Sequence, residues 1–287
     1  MMKIDEIVNF NGAQIQHGSL NNRIYLIKIF PPITDSLPEK LIHLAQSRNY
    51  TKIFGKIPSS QKKIFEAKGY IEEAVIPDFF NNNESVHFMS YFLAKARSID
   101  KNQAQIENNI KIAETKARED FYHQDNGFDI QCCAEKDLQE MAAIYNKVFP
   151  SYPFPIGKPE YLKETMKSHV DYFSAKDNEK IIALSSGEKD IQNKNAEMTD
   201  FATLPEHRGK GLAQSLLKNM EYYLCKNGIK TFYTICRANS PGMNICFAKS
   251  GYQYRGTLIN NTNISGQIES MNVWSKSMTQ VISNSPD

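Results

Sequence analysis

Apolar and polar positions alternate along this chain in short runs whose period switches repeatedly between two and about 3.6, the pattern of strands interleaved with helices. The first extended run is Arg23-Ile24-Tyr25-Leu26-Ile27-Lys28-Ile29-Phe30, ended by Pro31-Pro32. A helix is expected from Ser36, with Leu37, Leu41, Leu44 and Ala45 on one face, followed by a strand over 51–57. Pro58-Ser59-Ser60 opens a short helix through Ile64, Phe65 and Ala67, and Gly69 supplies its left-handed stop. Two strands, 70–76 and 86–93, flank the turn Asn81-Asn82-Asn83. Residues 94–125 contain no proline, and Ile99, Ile106, Ile110, Ala113 and Ala117 fall at helical intervals, so a linker helix packed lightly on one domain is expected there. Beyond it the predicted strands are 128–133, 170–175, 181–186, 196–203, 231–237, 252–259 and 269–276. Helices are expected over 135–149, 159–169, 212–227 and 241–250. The organisation is thus an N-terminal α/β domain (1–93), a helical linker (94–125) and a larger α/β domain (126–287).

Composition narrows the class. The 287 residues are 41% hydrophobic, enough for a sizeable core in each unit, and 34 basic against 32 acidic residues leave a formal charge of +2. Charges of both signs are mixed along the chain, which argues against nucleic acid as a partner. No apolar run reaches the ~20 residues of a membrane helix and the N-terminus lacks a signal peptide's apolar stretch, so a cytoplasmic protein without membrane contact is expected. The five cysteines have no metal-ligand spacing and sit in apolar runs, so they are expected to be small core hydrophobes. The six histidines form no ligand pattern either, and no metal is expected.

The turn Leu204-Pro205-Glu206-His207-Arg208-Gly209-Lys210-Gly211-Leu212-Ala213 lies between an apolar strand and an amphipathic helix. Gly209 and Gly211 let the backbone turn with its N–H groups inward, and the following helix N-terminus adds partial positive charge, which suits a pyrophosphate. Arg208 and Lys210 can add side-chain charge. The spacing is neither the GxxxxGK[ST] loop nor the GxGxxG fingerprint, so a nucleoside triphosphate hydrolase is disfavoured.

Arg208-x-x-Gly211-x-Ala213 resembles the (Q/R)xxGx(G/A) signature of the GCN5-related N-acetyltransferases, and the element order from Phe128 onward resembles theirs. The resemblance implies a central mixed, mostly antiparallel sheet flanked by helices. It implies acetyl-CoA as co-substrate, with its pyrophosphate on the amides from His207 to Ala213 and its pantetheine arm along Thr203 and Leu204. Asn239 and Asn244 are candidates to hydrogen-bond that arm, Asn239 being equally a helix cap. Tyr152-Pro153-Phe154-Pro155-Ile156, the run from Asn195 to Pro205, and Tyr254-Arg255-Gly256-Thr257-Leu258-Ile259-Asn260-Asn261 are similar to the β-lysine N-acetyltransferases. That closer resemblance implies acetylation of the ε-amine of β-lysine to a neutral compatible solute. The same chemistry on another small amine, a polyamine or a protein lysine stays open, as does a non-catalytic acyl-CoA sensor, and so does a homodimer.

An ammonium with a pKa near 10.4 must lose its proton before attack, and a carboxylate is the usual aid. Glu197 lies where the histone-acetylating members of the family place a glutamate base. Asp200, three residues on, is an alternative base or a binder of the cationic amine; an unbulged strand would point the two to opposite faces. The position where relatives carry a tyrosine as acid is Phe247 here, leaving Tyr252 or Tyr233 as substitutes, or a thiolate, with a thiol pKa near 8.5, that leaves largely unassisted. Tyr152 and Phe154, in the proline-rich loop, suit the methylene chain of a lysine, and Arg237 or Arg255 suits its carboxylate.

Phe65-Glu66-Ala67-Lys68-Gly69-Tyr70 and Phe247-Ala248-Lys249-Ser250-Gly251-Tyr252 match at one register, 247 − 65 and 251 − 69 both being 182. The N-terminal domain therefore reads as a degenerate copy of the transferase's second half. Where the C-terminal copy has its glycine turn, the first has Phe30-Pro31-Pro32-Ile33-Thr34-Asp35, whose prolines lack N–H donors, so no acetyl-CoA is expected there.

Overall fold

Strands dominate the chain, and in the computed structural model they join edge to edge into one sheet of 13. The structure describes residues 5–30, 35–118, 127–264 and 266–278. The first half contains β1 (Glu6–Phe10), β2 (Ala13–Gly18), β3 (Arg23–Ile29), α1 (Leu37–Ser47), β4 (Lys52–Pro58), α2 (Lys62–Glu66), β5 (Ile71–Phe80), β6 (Glu84–Phe92) and α3 (Gln103–Ala117). The second contains β7 (Asp129–Cys132), α4 (Leu138–Val148), α5 (Pro159–Ser168), β8 (Val170–Asp177), β9 (Lys180–Asp190), β10 (Asn195–Thr203), α6 (Leu212–Lys226), β11 (Thr231–Arg237), α7 (Pro241–Lys249), β12 (Gln253–Ile264) and β13 (Gln267–Ser277). Sheet order is β1-β2-β3-β4-β6-β5-β12-β13-β11-β10-β9-β8-β7. Pairing is antiparallel except at β3–β4 and β10–β11, the mixed, mostly antiparallel α/β sheet that was expected.

Three features depart from the pattern-based reading. The hairpin β1–β2 was missed because Asn, Gln and His dilute its alternation. Its signal is Asn11-Gly12, with φ of 47° and 80°, the two-residue turn that tight hairpins favour. The helix expected from residue 94 begins only at Gln103. Arg97 instead bonds the Asn260 and Asn21 carbonyls and Thr51 Oγ1, fixing the chain as it leaves β6, and Asp100 Oδ1 accepts from the Asn102 amide. Residues 119–126, the end of the expected linker helix, and 31–34 of the proline turn lie outside the described residues. Cys132 is exposed on the edge strand β7 rather than in the core, whereas Cys133, Cys236 and Cys246 are buried.

The helix α3 packs along α7, with Ala113 fully buried and Asn109 Nδ2 donating to the Ala238 carbonyl. Helix α6 lays Leu212, Leu216, Leu217, Met220 and Leu224 into the core beneath β8–β11, and α4 and α5 cover the other face around Met141, Tyr145 and Leu162.

The segment around β5 and β6 repeats the segment around β12 and β13 in several matching bonds. Gly69 and Gly251 both stand at φ 85°, and the amides of Tyr70 and Tyr252 reach back to the carbonyls of Phe65 and Phe247 at 3.2 and 3.1 Å. In both, the phenylalanine meets the tyrosine edge to face with centroids 5.1 Å apart. The β5–β6 ladder slips between Glu72 and Ala74 and between Ile76 and Phe80; the β12–β13 ladder slips between Tyr254 and Gly256 and between Leu258 and Thr262. Every one of these pairs is again 182 apart. Ala74 itself pairs with Gly256, so equivalent residues of the two halves meet where β5 abuts β12.

That junction tolerates no side chain. Gly256 has φ 145°, and a Cβ there would lie 2.1 Å from the Glu73 carbonyl oxygen and 2.8 Å from the Ala74 Cα. Beside it lies a buried ion pair within the first half, Lys52 Nζ of β4 to Glu73 Oε2 of β5 at 2.7 Å, whose two members both bond across the seam to β12. Lys52 also donates to the Ile259 carbonyl at 2.7 Å, and Glu73 accepts from the Ile259 amide at 2.7 Å and from Ser90. Removing either partner would leave a buried charge uncompensated. Gly256→Ala is expected to cost at least ~2 kcal/mol, read as a fall in Tm of roughly 4 °C or more by calorimetry; an unchanged Tm would contradict this packing.

Candidate active site

The site originates where two strands stop pairing. β10 and β11 run in parallel register only at Asn195–Thr231, Ala196–Phe232 and Glu197–Tyr233. Past that point β10 slips against β9 between Thr199 and Ala202, with Asp200 at φ 54°, a bulge that re-aims the strand. A cleft of about 680 Å³ opens between the diverging strands, bounded by Thr199–Phe201 and Thr203 of β10, Thr234–Arg237 of β11, one side of α7, and the glycine turn. The edges of both strands there carry peptide groups that an extended ligand can pair with.

The glycine turn closes one end. Gly209 and Gly211 stand at φ 79° and 74°, and nothing lies within 4 Å of where a Cβ on Gly209 would be. The first intrahelical bonds of α6 run from the Gln214 and Ser215 amides to the Gly211 carbonyl. The N–H groups of Leu212 and Ala213 therefore precede the helix's own ladder and are available to an anion. His207, Arg208, Gly209, Gly211, Leu212, Ala213 and Thr203 line the cleft, as the motif suggested. Leu204 does not, since its side chain packs with the α4–α5 core and its amide bonds the Ile182 carbonyl. The Lys210 ammonium lies 3.4 Å from the His207 ring, outside the lining.

Other anticipated residues lie elsewhere. Asn244 is fully buried: Oδ1 accepts from Asn272 and Trp274 at 2.8 Å each, and Nδ2 donates to the Arg237 and Ser240 carbonyls at 3.1 and 2.8 Å. Its hydrogen-bonding capacity is spent on tying α7 to β13 and none is left for pantetheine. Asn239 borders a separate cavity between Arg97, Ile99 and Asp100 on one side and Asn260 of β12 with Gln267 and Glu269 of β13 on the other. Tyr252 is buried against Glu221 and Phe247 and does not reach the cleft, which removes it as an acid. Phe154 packs with the α4–α5 core. Arg237 borders the cleft, but its guanidinium is held bidentately by Glu269 at 2.9 and 2.6 Å. Arg255 donates to Ser275.

At the other end of the cleft the bulge turns Asp200 inward. Its Oδ1 accepts from Tyr152 at 2.5 Å and its Oδ2 from Ser186 at 2.6 Å. Ser186 shares a face of β9 with Glu188, which pairs directly across from Glu197. The bulge thus overrides the opposite-face expectation and gathers Asp200, Glu197 and Glu188 on one side. Burial raises all three above the usual carboxylate range; for Glu188 burial, then Glu197 and Asp200, push it up to about 8. Buried next to Asp200, the Tyr152 phenol is pushed well up and stays neutral. Glu188 escaped notice because Gly187-Glu188-Lys189-Asp190 looks like a turn, whereas β9 continues to Asp190. Lys56 of β4 escaped because only tertiary structure brings it to Tyr233, where its Nζ donates to the hydroxyl at 3.2 Å.

A strand-splayed cleft, an amide-lined turn at a helix N-terminus and a carboxylate at the bulge form a candidate acyl-transfer site. Residues 138–252 match the acetyltransferase (GNAT) family. The chain belongs to this family and is an N-acetyltransferase. It is 39% identical to the β-lysine N(6)-acetyltransferase of Methanococcus maripaludis over 95% of this chain and 99% of that one. Similarity extends to the β-lysine N(6)-acetyltransferase of Methanosarcina mazei, 33% identical over 80% of this chain and 93% of the other, and to N-acetyltransferase YodP of Bacillus subtilis, 28% identical over 93% and 96%.

Gly211→Val forces a branched residue to positive φ at the head of α6. Its acetyl-CoA Kd, measured by calorimetric titration, is expected to rise tenfold or more while the far-UV spectrum stays native. An unchanged Kd would remove the turn from the binding site.

Proposed function

We propose that the enzyme transfers the acetyl group of acetyl-CoA to the ε-amine of β-lysine, yielding N6-acetyl-β-lysine, a neutral compatible solute made in the cytoplasm for osmoadaptation, without a metal. The observation that carries this reading is 39% identity to a β-lysine N(6)-acetyltransferase across essentially both full chains. Acetyl-CoA supplies the activated thioester. The amides at Gly209 and Gly211–Ala213, with Arg208, hold its pyrophosphate, and the free edge of β10 at Thr203 orients its pantetheine.

Asp200 is the base. It is the carboxylate that lines the cleft, and its raised pKa brings it closer to the ammonium it must deprotonate. Tyr152 is the neutral donor on the same carboxylate. It holds the proton that the departing sulfur takes, the proton Asp200 removes from the ammonium restores the phenol, and the second proton the nitrogen loses on becoming the amide leaves to water. This assigns to Tyr152 the acid role that Phe247 lacks. Glu197 and Glu188 serve the acceptor rather than the base. The N-terminal half, residues 1–93, is a degenerate copy that binds no second acetyl-CoA.

A thiol-release assay over β-lysine, α-lysine, ornithine and spermidine tests the acceptor. β-Lysine is expected to give the highest kcat/KM by about tenfold or more; turnover of another amine with none of β-lysine would overturn it.

A further inference from the structure

The junction of the two halves places one cation near three acidic side chains, Glu188, Glu197 and Asp200. Lys56, on β4, sends its Nζ to Tyr233 Oη at 3.2 Å and lies 5.8 and 5.7 Å from the ring centroids of Tyr25 and Tyr233. The Tyr233 hydroxyl in turn faces the Glu197 carboxylate, and Glu188 lies directly across the ladder from Glu197. Among the described residues no salt bridge within 4 Å joins Lys56 to either glutamate. The ammonium is half-buried and keeps its proton because the Tyr233, Tyr25 and Glu197 groups together outweigh the burial that opposes its charge. Two like charges opposed across a ladder repel unless a proton or a cation lies between them.

Glu197 and Asp200 are three residues apart on β10, roughly 10 Å of extended strand before the bulge shortens it, which is about the length of a six-carbon diamino acid. With the reacting amine at Asp200, the far end of such an acceptor carries an ammonium and a carboxylate on neighbouring carbons. That pattern complements Glu188 and Glu197 beside Lys56. We infer that Lys56, contributed by the N-terminal half, binds the acceptor's carboxylate and so selects a zwitterionic amino acid over an amine without that group. The inference rests on the acceptor reading given above. It assigns the degenerate half a direct part in substrate choice.

The test compares β-lysine with its neutral carboxamide, in the full-length enzyme and in Lys56→Gln and Lys56→Arg. The wild type is expected to favour the acid by tenfold or more in kcat/KM. Lys56→Gln is expected to narrow that preference to about twofold through a higher KM for β-lysine, with the acetyl-CoA Kd unchanged, and Lys56→Arg to restore most of it. A merely structural lysine would weaken both acceptors equally, so a preserved preference in Lys56→Gln overturns the inference, as does a wild type that does not distinguish the two. A wild type that acetylates neither compound overturns the acceptor reading itself.

Discussion

One extra residue in β10 takes that strand out of register with β9 just after it stops pairing with β11. Three paired positions, Asn195 to Glu197 on Thr231 to Tyr233, hold the strands together, and the Asp200 bulge then swings them apart. The bulge does three things at once. It opens the cleft, leaves β10 peptide groups facing into it, and rotates Asp200 onto the side of Glu197 and Glu188. Left-handed backbone at a non-glycine residue is costly, and the Tyr152 and Ser186 hydrogen bonds to Asp200 offset it. The strain therefore resides where the chemistry is.

At the β5–β12 junction the sheet runs on from one copy of a ladder into the other. Gly256 on Ala74, with the Lys52–Glu73 pair bonded to β12 backbone, joins two copies of one ladder through equivalent residues. The first copy differs from the second in what it brings to this region. Its β4 carries Lys56, which reaches the acidic end of the second copy's site, whereas the corresponding stretch of β11 lines the cleft with Ile235. In the proposed chemistry one half holds the donor's anion with backbone amides and the other contributes Lys56 as a half-buried cation. A net charge of +2 conceals both.

Much of this was legible in the chain. The period of the apolar positions placed β10, the glycine turn, α6, β11 and α7 to within a few residues, because each buries one face against a continuous core. The Phe…Gly-Tyr repeat signalled the internal copy, since a left-handed glycine and an edge-to-face aromatic pair demand the same residues wherever the geometry recurs. What could not be read depends on tertiary placement. A bulge has no residue signature at Asp200, so the face it presents was open. Asn244 and Tyr252 have the right chemistry but point into the core, and their local pattern is that of any amphipathic helix end. Lys56 and Glu197 are 141 positions apart, and only the junction brings them together.

The proposed chemistry depends on Asp200 as the group that accepts the amine's proton in the cleft. The direct measurement is kcat/KM against pH for the wild type and Asp200→Asn with β-lysine. Burial raises Asp200 and its neighbours, so the wild-type rate is predicted to fall, as pH drops, through a limb above the ordinary carboxylate value of about 4. In Asp200→Asn the rate should drop at least 100-fold with the acetyl-CoA Kd unchanged. A variant that keeps both the rate and the acid limb would contradict the account.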